Sequence, residues 1–357
     1  MTAQPALHEA TTTAAGSAIL HQVRAAARRR RLVAGAGLSA IALLAFLLAV
    51  SLGEYPIAPG DLLSSLVGAG PARVEFVVTR LRLPRALAGL AVGAALGLAG
   101  ALFQRLLRNP LASPDIVGVG AGASTGAVVA IALFGASGAV VSGAAVLGAV
   151  ASTVLIVSLS RGRAGAGLHG VRFVLIGVGV SSALLAVISW LMTSASLTTA
   201  QQTLLWLTGS LNAVTWTSTV PLLVACAVLV PAALVAARAL PRLELGDDAA
   251  AALGLPVERA RTTILALAVL LVAAAVAVAG PVSFVALVSG PVAARLAGPG
   301  RGSLPHAALT GAALVLVADL VARHLLGAVS LPVGVVTGVI GAPYLLWLLA
   351  RSQRRFG

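Results

Sequence analysis

The sequence predicts an all-α polytopic membrane protein with ten transmembrane helices and both termini cytoplasmic. Three observations predict it. Hydrophobic residues make up 59% of the 357-residue chain and charged residues only 10%, whereas a soluble domain carries about a quarter charged residues. The apolar residues fall into runs near the ~20 residues that cross a hydrocarbon core. The arginines gather at the ends of those runs, on alternate sides, as the positive-inside rule describes.

Taken in order, Met1–Ala27 shows no sustained apolar period, and residues 1–31 are expected to form a disordered, basic cytoplasmic tail. Arg28–Arg31 abut the first span, Leu32–Leu52, which is too long for the apolar core of a cleaved signal peptide. An external stretch, Tyr55–Leu83, leads to the second span at Pro84–Leu107, where Gly89, Gly93 and Gly97 recur every four residues and Gly100 follows. That spacing puts the glycines on a face where another helix can approach closely, and tight packing alone accounts for most of them. Further spans read at Ile116–Phe134, Ala139–Leu159 and Val171–Met192, with Arg105, Arg108, Arg161, Arg163 and Arg172 marking inside loops. Thr193–Ser218 is uncharged but polar and carries Trp206 and Trp216, so it reads as interfacial. Span six, Thr219–Ala237, holds Pro221 and Pro231 and ends at Arg238 and Arg242. Spans seven to ten read at Thr262–Val278, Val282–Leu296, Ala307–Leu326 and Leu331–Leu349, and 352–357 close the chain as a short cytoplasmic tail. The transmembrane domain is thus 32–351. Only Arg73, Arg80, Arg82, Arg85 and Arg323 fall outside, and Arg295, Arg301, Arg351, Arg354 and Arg355 fall inside with the rest.

Net charge is +14, yet the arginines build no basic face, which argues against a nucleic-acid partner. Lysine is absent, so this sequence contains no Walker A site and any ATP, with its Mg, must be bound by another polypeptide. No HExxH, CxxC or G-x-S-x-G occurs, and neither a metal-ligand cluster nor a nucleophile–base pair is legible. No cofactor is expected in this chain. Cys226 stands alone in an apolar run and reads as an inert buried thiol.

Three stretches have two readings each. Leu245–Arg261 is a polar interval on the inside, with Asp247 and Asp248 opening a short alanine-rich helix that Gly254 and Pro256 end. It is either a solvated loop or a surface helix that a soluble partner grips and pushes. Asp319 is the carboxylate deepest in a span, and Arg323 four residues on gives the favourable helical order. A structural ion pair is preferred there over a proton relay, since an intramembrane acid needs a partner. Arg80, Arg82, Arg85 and Arg323 either anchor at the membrane interface by snorkelling or form an outward rim that docks an acidic partner.

Several motifs, in order from Leu32 to Arg351, resemble the permease family of iron-siderophore and vitamin B12 ABC importers. They are Arg82-Leu-Pro-Arg85, the glycine-striped span ending in Gln104, Asn109-Pro110-Leu-Ala-x-Pro114 with Gly118, and Gly254-Leu-Pro256. Gly280-Pro-x-x-Phe284, Asp319-Leu-x-x-Arg323 and Leu331-Pro-x-Gly334 through Gly341-Ala-Pro343 continue the set. The resemblance implies a multi-pass subunit of a bacterial plasma membrane, working as a homo- or heterodimer with a second permease subunit. It implies two ABC ATPase subunits, an extracytoplasmic substrate-binding lipoprotein, and a ferric siderophore as cargo. It assigns ATPase coupling to Gly246, Asp247, Asp248, Leu253, Gly254, Leu255 and Pro256, and docking of the binding protein to Arg82, Arg85 and Arg323. It assigns helix packing or the translocation route to Gly89, Gly93, Gly97, Gly100, Gln104, Asn109, Pro110, Pro114, Asp319, Gly341 and Pro343. Gly290-Pro291 departs from the family's usual Pro-His pair. Cobalamin or haem as cargo is the alternative within the family, and a proton-coupled secondary carrier is the alternative outside it.

Overall fold

The computed structural model describes residues 4–53, 55, 57–66, 68–160, 170–298, 303–324 and 331–353. Glu54, Arg161, Arg163, Arg301, Arg354 and Arg355, on which topology expectations rested, lie outside the described residues, as does the closing tail from 354. The described residues are mainly helical, and no strand occurs among them.

Helix α1 spans Gln4–Ser51. The helix continues N-terminally of the first span expected at Leu32, through the basic patch and into the stretch expected to be disordered. Val23–Leu32 is almost wholly alanine and arginine, both strong helix formers, and nothing in it ends a helix. The external stretch folds into α2 (Pro59–Leu66) and α3 (Ala72–Phe76), and a π-helical turn, Val77–Arg82, runs on into α4 (Leu83–Leu106). Then come α5 (Val119–Phe134), α6 (Ala139–Ser160), α7 (Gly170–Ser194), the short α8 (Leu197–Leu207) and α9 (Trp216–Ala236). Two brief helices, α10 (Leu240–Leu243) and α11 (Asp247–Ala252), precede α12 (Val257–Ala279), α13 (Val285–Ala297), α14 (Ser303–His324) and α15 (Val333–Gln353).

Seven of these segments are long and apolar enough to cross a membrane, and three shorter apolar helices, within α5, α13 and α15, accompany them. The short ones are cut by the backbone. Gly118 and Gly135 bracket α5 with positive φ, as Phe284 and Gly298 bracket α13. Helix α8, with 11 residues, is too short to span, so the interval Thr193–Ser218 contributes no crossing helix.

Helix α4 is the centre of the bundle, with 83% of its apolar stretch buried against 17% for α7 and α9. It packs on α14, α12, α13, α9 and α1. A helix apolar all round suits that place, and the outer helices present apolar faces outward. On α7 that outward face is pronounced, with Val171, Leu175, Leu185 and Trp190 exposed. The glycines decide how close α4 comes. A Cβ on Gly93 would overlap the carbonyl of Gly311, and one on Gly97 that of Ala307, both on α14. Gly100 faces α13 instead, where a Cβ would overlap the Ala286 carbonyl. Three residues of helix advance the direction by about 300° rather than 400°, which accounts for the change of neighbour. Gly89 is looser, since a Cβ there would meet only side chains, those of Leu211, Leu316 and Val315 at 3.2, 3.4 and 3.8 Å.

Candidate coupling elbow and arginine cluster

The interval after α9 folds as an elbow. Helix α10 ends at Leu243, Gly246 turns the chain with φ +108°, α11 runs for six residues, and Gly254 (φ +74°) and Pro256 redirect it into α12. Positive φ is why glycine stands at both bends. Leu240, Leu243, Ala250 and Leu255 are buried and anchor the elbow, whereas Leu245 and Leu253 are exposed. Asp247 and Asp248 occupy the first turn of α11, where acids favour the helix dipole.

Two carboxylate–guanidinium pairs fasten this elbow. Arg261 on α12 donates to both Asp247 oxygens, Nη1 to Oδ2 at 2.8 Å and Nη2 to Oδ1 at 2.6 Å. Arg105 on α4 donates to Glu244 Oε1 through Nε at 2.9 Å and Nη2 at 2.7 Å. Arg108 adds a hydrogen bond to the Leu243 carbonyl. Both carboxylates are largely exposed, 49% and 41%, so each pair contributes about 0–1 kcal/mol. Their effect is to set direction more than stability: the elbow is coupled to the central helix and to α12. Local pattern picks out Asp247 but no partner for it, and nothing in the spacing joins Glu244, Arg105 and Arg261 into a set.

The turn after α4 lies beside the elbow. Arg108 has φ +51°, Asn109 Oδ1 accepts from the Leu111 N–H at 2.9 Å, and the Asn109 carbonyl accepts from Ala112 N–H at 3.0 Å. Asn109, Pro110 and Pro114 thus build a tight turn. Gln104 donates to the Leu287 carbonyl at 2.9 Å and lies on Gly290, where a Cβ would overlap its Oε1.

At the opposite end of α4 four charged residues meet. Arg85 donates to both Asp319 oxygens, with Nη2 at 2.7 Å from Oδ1, and Arg323 Nε lies 3.2 Å from Oδ2. The Asp319 side chain is 2% exposed. The expected i,i+4 pair is present, but Arg85, 234 residues away, makes the closer contact. Arg82 donates to the carbonyls of Val50, Ser51 and Tyr55 at 3.1, 2.7 and 2.6 Å, and so ties down the last two carbonyls of α1 and the chain just beyond it. The outward rim expected of Arg82, Arg85 and Arg323 is therefore turned inward: Arg82 is 7% exposed and the side chains of the other two 16% and 13%. Burying a carboxylate in this bundle requires paired cations, and the nearest arginines supply them. The exposed arginines of this region are Arg73, stacked 5.0 Å from the Tyr55 ring, and Arg80.

The remaining motif residues meet one another. Gly209 and Gly280 (φ +71° and +68°) pack backbone to backbone, and Gly334 N–H donates to the Gly209 carbonyl at 3.0 Å. A Cβ on Gly341 would overlap the side chain of Phe284, itself at φ +67°. Pro343 lies inside α15, exposed. A cavity of about 670 Å³ lies between α6, α8, α9 and α12, lined by Gln202, Trp206, Thr215, Ser142 and Val278 among others; none of the expected route residues lines it. Among the described residues no three His, Cys, Asp or Glu side chains gather as a metal site.

Comparison with known proteins follows the same outline. The FecCD transport family model matches residues 41–351. The chain is 43% identical over 303 residues to the ferric enterobactin transport system permease protein FepG of Escherichia coli (strain K12), covering 85% of this chain and 91% of that protein. It is 38% identical over 319 residues to the vitamin B12 import system permease protein BtuC of Salmonella paratyphi A (strain ATCC 9150 / SARB42), covering 89% and 94%. An inward-facing structure described as a metal-chelate-type ABC transporter superposes with TM-score 0.79 at 28% identity, over 89% of this chain and 98% of that one.

Proposed function

The chain belongs to the FecCD transport family and is a permease subunit of an ABC importer, and we propose that its cargo is a ferric siderophore. The observation that carries the cargo is the 43% identity to a ferric enterobactin permease, against 38% to a vitamin B12 permease. In this reading the seven long and three shorter apolar helices all cross a bacterial plasma membrane, with the elbow and both termini in the cytoplasm. A second permease subunit covers the exposed apolar faces of α7 and α15, where Val339 and Leu346 also lie open. Two ABC ATPase subunits, which bind ATP and Mg, grip the elbow on the cytoplasmic side, and a substrate-binding lipoprotein delivers the chelate outside.

The elbow supports the coupling role. Its exposed surface, Leu245, Asp248 and Leu253, is free for a partner, while Glu244 and Asp247 tie its back to α4 and α12. A push on α11 therefore acts on the central helix, whose glycine-lined contact with α14 passes the displacement across the bundle. The cluster at the other end links α1, α4 and α14, so both ends of α4 are held.

The test is uptake into vesicles holding this permease with its ATPase and binding protein. ATP-dependent entry of a ferric siderophore, with cobalamin and haem refused, is expected. Entry of cobalamin in preference to every ferric chelate would move the cargo within the family. Uphill transport by the permease without any ATPase would end the reading in favour of a secondary carrier.

A further inference from the structure

A cavity of about 350 Å³ opens at the elbow end, between the last turn of α4, the elbow and α13. Gln104, Arg105, Arg108, Asn109, Glu244 and Gly290 are among its walls. Two guanidiniums face one carboxylate, so the lining is net positive. Arg105 turns Nε and Nη2 toward Glu244, so Glu244 holds the donors that an anion would have to capture. Arg108 commits Nη2 to the Leu243 carbonyl. On the floor, Gln104 is fastened to the Leu287 carbonyl and lies close against Gly290.

We propose that this cavity binds a small oxyanion, a phosphate or carboxylate of the cytosol, with Arg105 and Arg108 as donors. Guanidinium forks match the geometry of such groups, and the volume sits at the small end of ligand pockets. The bound anion competes with Glu244 for Arg105 and so loosens the elbow from α4. That regulatory consequence rests on the permease reading; the binding itself does not. The headgroup phosphate of an anionic lipid has the same chemistry, and the experiment separates the two sources.

The full chain in phosphatidylcholine nanodiscs is titrated with inorganic phosphate against chloride at constant ionic strength, and binding is read by calorimetry. Saturable binding is expected. Ala294→Leu, which fills the cavity without touching a charge, weakens it at least tenfold, Arg108→Gln does likewise, and Glu244→Gln tightens it severalfold. Absence of saturable binding overturns the proposal, as does an affinity unchanged in folded Ala294→Leu. Should that variant fail to assemble, Arg108→Gln decides alone, since Arg108 is exposed. Repeating the titration in phosphatidylglycerol nanodiscs identifies the source: phosphate binding retained there marks a free anion, and binding lost there marks a lipid headgroup in the same site. Vesicle uptake is measured separately, so loss of this site leaves the permease reading standing.

Discussion

Removing the carboxylate of Asp319 takes the counter-ion from two arginines at once, and leaves Arg323 only its bonds to the Ala49 carbonyl. Arg85 and Arg323 make four contacts with it between 2.7 and 3.2 Å, and the acid is 2% exposed. Breaking a buried ion pair by deleting one partner costs about 3–5 kcal/mol. The arginine side chains keep 16% and 13% exposure, and the unfolded-in-membrane reference finds partners of its own. Asp319→Ala should therefore fall near the low end, about 3 kcal/mol, which is roughly a hundredfold in the folding equilibrium. Asp247→Ala at the elbow, where the carboxylate is 49% exposed, should cost less than about 1 kcal/mol. The assay is reversible unfolding in mixed detergent micelles, arranged as a double-mutant cycle of Asp319→Ala and Arg85→Ala. A coupling of about 2 kcal/mol is expected, with the double variant less damaged than the sum of the singles. An additive cycle, or an Asp319→Ala no worse than Asp247→Ala, would refute the reasoning. The isosteric Asp319→Asn adds a functional arm: ATP-driven uptake should scale with assembled protein and ignore the proton gradient.

Other perturbations read other parts of the bundle. Gly97→Val drives side-chain atoms into the Ala307 backbone and should cost about 3 kcal/mol or more, while Gly89→Ala should stay within about 1 kcal/mol; thermal midpoints in detergent rank them. Glu244→Gln and Asp247→Asn should each change stability by less than about 1 kcal/mol yet lower ATPase stimulation by the loaded binding protein, which a purely structural role would leave intact. Arg82→Glu should reduce the amount of folded protein by losing its bonds to the last two carbonyls of α1 and to the Tyr55 carbonyl, whereas Arg73→Glu and Arg80→Glu should assemble normally and slow binding-protein association in a salt-sensitive way. A surface-plasmon measurement at two ionic strengths separates these effects.

The membrane class, the positions of the apolar helices and the elbow were legible along the chain, because each follows from neighbours in sequence. A bilayer asks for ~20 apolar residues in a row, a bend asks for glycine or proline, and an intramembrane acid asks for a cation one turn away. Gly93 and Gly97 could be read as a contact face for the same reason. Helix α1 runs further N-terminally than its tail-like composition suggests, because alanine and arginine carry a helix onward without apolar periodicity.

What the tertiary structure alone decided is which residues meet across the bundle. Arg85 reaches Asp319 over 234 positions, Arg105 reaches Glu244 over 139, and Gly341 receives Phe284. Whether Arg82 faces a partner or the end of α1 also depended on how α4 is rotated. A helix apolar on every side carries no stripe that would declare its rotation or its neighbours. Those are fixed only when its small residues find the one packing that lets the backbones touch.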